Sequence, residues 1–86
     1  MPRYRFHVLN DTSYALDEEG TELSGLEAMR ARATKILGEI IAEELNEGRS
    51  TIHLAIMVDD EDGERVGNFR STTTLVVGEN PFAKAK

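Results

Sequence analysis

The chain has 86 residues, with 10 Lys and Arg against 16 Asp and Glu, so its formal net charge is −6. A chain of this length forms one domain, and its negative field repels phosphate backbones and anionic lipid. It contains no cysteine, which excludes disulfides, thiolate metal sites and cysteine nucleophiles. No apolar run approaches the roughly 20 residues of a membrane helix. Residues 1–6 lack the apolar core of a signal peptide, so we expect a cytoplasmic protein.

The first predicted element is a strand over residues 3–9, where side chains alternate between two faces as in a half-buried strand. Turn-forming residues follow at 10–13, and residues 14–16 predict a short second strand that residues 17–20 end. The apolar face of the first strand consists of Tyr4, Phe6 and Val8, and its opposite face of Arg3, Arg5, His7 and Leu9.

A long helix is predicted over about 25–47. Ser24 has the chemistry of an N-cap, and Glu27 three residues later completes a capping box. Gly48 stands where a C-cap glycine is expected. An apolar stripe at helical spacing consists of Leu26, Met29, Ala33, Ile36, Leu37, Ile40 and Leu45.

The charges of this helix are divided along its length. Its first half carries Arg30, Arg32 and Lys35, and its second half carries Glu39, Glu43, Glu44 and Glu47. Two antiparallel copies would bring opposite charges together, which favours a symmetric dimer, although a chance distribution explains the pattern equally well.

Residues 52–58 alternate again and predict a strand with one strongly apolar face. Asp62-Gly63 is a turn dipeptide that predicts a hairpin to a further strand from about Arg65. Val66 and Phe69 have opposite parity, which a bulge at Gly67 reconciles. The β-branched run at 72–77 extends this strand or forms a fifth.

The predicted fold is α+β and two-layered, with order β(β)αββ(β). One long helix packs on one face of a mostly antiparallel sheet of three to five strands. Residues 1–78 form the domain, and residues 79–86 form a loosely ordered tail. The predicted core comprises Tyr4, Phe6, Val8, Leu26, Met29, Ala33, Ile36, Leu37, Ile40, Ile52, Leu54, Ile56 and Val58. The uncovered face of the sheet carries Arg3, Arg5, His7, His53 and Met57, which we take as a candidate partner or anion face.

The sequence also resembles a family of short bacterial proteins of unknown function. Members open M-P-R-Y-x-F-H-V and continue through D-x-x-G-x-E-L to a single long helix. Residues 1–8 and 17–23 match these motifs, Ser24 and Ala28 match the start of the helix, and residues 60–63 match a D-E-D-G turn. The resemblance covers residues 1–66 and departs beyond Gly67. It implies the fold, and no activity is established for the family. A second, generic similarity is to antitoxin domains of the HicB type.

The acidic run that ends at Gly63 invites a calcium interpretation. Placing Gly63 at position six of an EF-hand loop puts Val58 at position one and Phe69 at position twelve, so the loop lacks both terminal ligands. A solvated hairpin turn is favoured over weak binding of a divalent ion.

His7 and His53 are the two histidines of the chain. If their strands are neighbours, the imidazoles approach each other near Arg3 and Arg5. A metal site would need further ligands, and no serine or carboxylate stands at catalytic spacing. Solvated or partner-packed residues are the favoured interpretation, with an anion-binding or partner-binding face as the alternative. The face has no aromatic pair on which bases stack.

These observations predict a non-enzymatic interaction module without cofactors. We expect a homodimer or a complex with another protein, formed through the uncovered sheet face or an edge strand. The alternative is an antitoxin-like regulatory protein that binds nucleic acid or a toxin through Arg3, Arg5 and His7. An enzyme is the least favoured interpretation.

Overall fold

The computed structural model describes residues 1–78. The predicted loose tail over 79–86 lies outside these residues. The described chain contains five strands and one helix: β1 (Arg3–Asn10), β2 (Tyr14–Ala15), β3 (Thr21–Glu22), α1 (Leu26–Asn46), β4 (Thr51–Asp59) and β5 (Arg65–Thr74). The predicted α+β fold is confirmed.

All strand pairs in the described residues are antiparallel. The strands are ordered β2-β1-β4-β5, and β3 pairs with β1 further along the same edge as β2. The prediction did not include β3, because two residues show no period. The threonine run extends β5 and forms no separate strand, which settles an alternative that the sequence left open.

Helix α1 covers one face of the sheet. Its buried residues Met29 and Ala33 pack on apolar side chains of β1 and β4, and six further residues, among them Leu23, pack around this cluster while partly buried. Leu26 was predicted to lie in the core, but it is 62% exposed, because it is the first residue of α1 and lies beyond the part of the stripe that Met29 and Ala33 bury. The buried cluster is Tyr4, Phe6, Met29, Ala33, Ile56 and Val58, and its partly buried neighbours include Val8, Ile36, Leu37, Val66 and Phe69.

The predicted bulge in the last strand is confirmed. Val58 lies opposite Gly67 and Asp59 lies opposite Arg65, so Val66 is the extra residue. The bulge lets Val66 and Phe69 both pack against the core. A Cβ atom at position 67 would lie 2.7 Å from the Phe69 ring, which explains the glycine.

The two ends of α1 test the two predicted caps. Gly25 is the N-cap and no side chain caps the helix, so the predicted Ser24 cap is wrong. At the other end, Gly48 has a φ of +96°, as predicted. Its N–H donates to Leu45 O, and the next N–H, of Arg49, donates to Glu44 O, which is the Schellman pattern.

None of the helical structure in residues 1–78 combines the length and apolar composition that a bilayer crossing requires.

Candidate functional site: the open sheet face

The sheet face opposite α1, here called the open face, contains all five predicted site residues. No helix of the described chain lies on it, and the turn after β2 reaches it at His7 of β1 through the backbone N–H of Asp17. The register places these residues together with others from β5: Arg5 lies opposite Asp59, His7 opposite Met57, Leu9 opposite Ala55, His53 opposite Thr72, and Ala55 opposite Arg70.

The two histidines do not meet. His7 lies opposite Met57, and His53 is four residues from Met57 along β4, a separation of about 13 Å along the strand. The predicted approach of the imidazoles is therefore wrong, although their strands pair. Within residues 1–78, no group of three or more His, Cys, Asp or Glu residues is placed to hold a metal ion.

His7 is held inside the chain by both ring nitrogens. Its side chain is buried, and Nδ1 accepts a hydrogen bond from the backbone N–H of Asp17 at 3.1 Å. Because Nδ1 accepts, the proton of the neutral ring lies on Nε2, which donates to Asp59 Oδ2 at 3.1 Å. His7 is thus neither solvated nor free for a partner, contrary to the favoured interpretation of its sequence.

Asp59 links His7 to Arg65 across the hairpin. Arg65 Nε donates to Asp59 Oδ1 while His7 bonds the other carboxylate oxygen. The Arg65 hydrogen bond, helped by its charge and by His7, outweighs the burial that raises the pKa of Asp59 and holds that pKa below its usual range. The same contact raises the pKa of Arg65. Asp59 and Arg65, which both lie on the open face, are therefore paired with each other.

Asp17 closes the edge of β1 between β2 and β3. Its Oδ2 accepts the backbone N–H of Phe6 at 3.0 Å, and its Oδ1 accepts that of Gly20 at 3.0 Å. Burial raises the pKa of Asp17, but the backbone N–H groups of Phe6, Gly20 and Glu19 together lower it below its usual range. One carboxylate therefore satisfies a strand-edge donor and shapes the turn.

Gly20 completes this turn. Its φ is +76°, and a Cβ atom there would lie 2.9 Å from both Tyr4 O and Arg3 Cγ. Asp17 and Gly20 are the first and last residues of D-x-x-G. Sequence reasoning noted that motif as a resemblance but assigned neither residue a role.

The arginines of β1 differ in how they are used. Arg3 bonds Glu22 Oε2 and Glu19 O, each at 2.9 Å, so its guanidinium is engaged at the sheet edge. Arg5 has a buried Nε that no group in residues 1–78 accepts from. Cationic groups on the open face are thus partly neutralised within the chain.

Comparison with known families places the whole of this arrangement in one domain. A family model described as a domain of unknown function (DUF6894) matches residues 3–72. The chain belongs to the DUF6894 family. No curated protein and no solved structure gives a significant match. The DUF6894 match runs from β1 into β5, so it includes His7, Asp17 and Asp59 and extends past position 66, where the resemblance was expected to end.

Proposed function

We propose that this DUF6894 chain is a non-enzymatic interaction module that forms a homodimer through the outer edge of β5. The observation that carries this proposal is the state of the two sheet edges. The β1 edge is occupied by β2, the Asp17 carboxylate and β3. β5 has ten residues and pairs with β4 on one side, and no strand within residues 1–78 pairs with its other side. A long free edge is a template for another strand.

The hydrogen-bonding groups of this edge follow from the register. Leu75 N–H donates to Ser50 O at 2.7 Å, so odd-numbered residues of this segment face β4. Antiparallel pairing alternates, so the N–H and C=O groups of the even-numbered residues point away from the sheet. These residues are Asn68, Arg70, Thr72 and Thr74. The edge continues into Leu75, Val76 and Val77, which are exposed and would be covered by a second strand.

The position of α1 supports a second copy as the partner. α1 packs against β4 and β5, and Met29 near its start lies beside Gly67 near the start of β5. The chain after its other end reaches Ser50, whose C=O accepts from Leu75 at the end of β5, so the helix runs along β5 in the same direction. A twofold axis beside β5 would place the two helices antiparallel. With strands about 4.8 Å apart, a helix above β4 and β5 would lie about 10 Å from its copy, close to the usual packing distance.

The helix surface fits this arrangement in two ways. The basic first half of each helix would lie beside the acidic second half of the other, which favours the antiparallel orientation. One side of the helix carries four residues spaced at i, i+4, i+7 and i+11, namely Thr34, Gly38, Ile41 and Leu45. The side of α1 with Met29 and Ala33 packs on the sheet. Because the helix is right-handed and runs along β5, we infer that the side with Thr34 and Gly38 faces the free edge of β5.

The contacts on the open face support a binding role over the two other candidates. His7 has no free ring nitrogen with which to act as a base. Arg3 is engaged with Glu22, so the N-terminal strand offers nucleic acid little beyond Arg5. These contacts favour an interaction module over an enzyme and over an antitoxin-like protein that binds nucleic acid through β1.

Sedimentation velocity of the full chain tests the proposal. The wild-type chain should sediment as a dimer of the 9.6 kDa protomer at micromolar concentration. Thr72→Pro removes an outward N–H and leaves the β4 ladder intact, so it should give a folded monomer. Thr72→Ala keeps that N–H and should remain dimeric. A wild-type monomer at high micromolar concentration, or a Thr72→Pro dimer, would overturn the proposal.

A further inference from the structure

We propose that a cleft on the open face, beside the C-terminal end of β1, binds a small aliphatic carboxylate. The cleft lies on side chains that stand perpendicular to the sheet, whereas dimer formation uses the backbone edge of β5. The inference therefore goes beyond the proposed homodimer and does not depend on it.

The cleft follows from one small side chain among larger ones. Ala55 lies between Leu9 and Arg70 across the strands, and between His53 and Met57 along β4. A methyl group surrounded by longer side chains leaves a depression, whose volume is about 250 Å³. Its lining includes Leu9, Asp11, His53, Ala55, Arg70 and Thr72.

The lining has the chemistry of a carboxylate site. Arg70 is exposed and forms no ion pair with any group in residues 1–78, so its planar guanidinium is free for a bidentate contact with a carboxylate. His53 and Thr72, whose Nδ1 and Oγ1 lie 3.4 Å apart, place further polar groups beside it. Leu9 and Ala55 supply an apolar surface for an aliphatic body.

Size and charge restrict the ligand. A volume of 250 Å³ lies below the roughly 300–1,000 Å³ of pockets for drug-sized ligands, so the occupant has few heavy atoms. Arg70 can pair with one negative charge on the ligand. Asp11, which also lines the cleft, and the net charge of −6 disfavour a ligand that carries a second one. These features favour a single carboxylate over a phosphate diester chain or another polyanion.

The carboxylate has two sources, a free metabolite or the C-terminus of another polypeptide. Titration of the ¹⁵N-labelled full chain by NMR separates them. The probes are 4-methylpentanoate and acetyl-Gly-Gly-Leu, each with its uncharged amide as the control. We expect one or both acids to shift the backbone N–H resonances of Ala55 and Arg70. The uncharged amide controls should bind at least about tenfold more weakly, as for loss of a charged hydrogen bond. The probe that binds more tightly identifies the source.

Two variants locate the site. Arg70→Gln should weaken binding of the acid at least about tenfold. Ala55→Leu fills the depression and should abolish binding. Should Ala55→Leu fail to fold, Arg70→Gln alone decides. Asn68→Gln, on the same face outside the cleft lining, should bind like the wild-type chain. The proposal is overturned if neither acid shifts these amides, if acid and amide bind equally, if Arg70→Gln binds normally, or if only inorganic phosphate or duplex DNA binds.

Discussion

Replacing the Asp17 carboxylate should open the β1 edge of the sheet. It accepts the backbone N–H groups of Phe6 and Gly20, each at 3.0 Å. Asp17→Asn keeps one acceptor oxygen and turns an NH₂ group toward the other donor. Hydrogen bonds to a charged group contribute about 1.5–3 kcal/mol each, so one lost bond and one weakened bond should cost about 2–3 kcal/mol. Urea unfolding at pH 7 measures this cost.

The pH dependence gives an independent check on the same carboxylate. The pKa of Asp17 is lowered in the folded chain, so its stabilising contribution is fully present above the unfolded value of about 4. That contribution is lost as the pH falls through the lower folded pKa. Stability of the wild-type chain should therefore decrease more between pH 7 and pH 3 than stability of Asp17→Asn.

Glu18→Gln provides the control, because it removes the same charge from an exposed neighbouring position. It should unfold at the wild-type urea midpoint. If Asp17→Asn also unfolds at that midpoint, the account of the β1 edge is refuted.

Four further substitutions test the packing and the N-terminus of α1, each by its urea midpoint at pH 7. Gly67→Ala should cost about 1–3 kcal/mol through overpacking, because its Cβ would lie 2.7 Å from the Phe69 ring; an unchanged midpoint would show that the ring moves freely. Met29→Ala should cost about 2–5 kcal/mol through a core cavity, whereas Leu26→Ala should be nearly neutral because Leu26 is exposed; equal costs would contradict the observed helix face. Ser24→Ala should be neutral, since no side chain caps α1, and a cost of about 1 kcal/mol would restore the capping box.

The strong periodic signals in the sequence predicted the framework of the fold. Alternation over residues 3–9 and 52–58 predicted β1 and β4, and opposite parity at Val66 and Phe69 predicted the bulge. The Ser24 cap was predicted because Ser24 and Glu27 have the spacing of a capping box. The prediction was wrong, since α1 begins after Gly25. Local chemistry does not decide such a boundary when the preceding chain is held by other contacts.

The functional face was predicted less completely, because its contacts join distant residues. Alternation placed His7 on the open face, but its burial depends on Asp17 and Asp59, which lie 10 and 52 residues away. The alternation of residues along a strand predicts on which face of the sheet a side chain lies. The pairing register of the strands decides which side chains lie next to it. The sequence left register open, so the sequence analysis did not reveal the distance between His7 and His53 or the contribution of Arg70.

Amide hydrogen exchange along β5 tests the central claim most directly. In a dimer joined through this edge, the outward N–H groups of Arg70 and Thr72 are hydrogen-bonded to the second copy. Their exchange should slow as the concentration rises from about 10 μM to about 1 mM, approaching that of the inward N–H of Ser71. If Arg70 and Thr72 exchange rapidly at every concentration while Ser71 stays protected, the edge is free in solution and the proposed dimer is wrong.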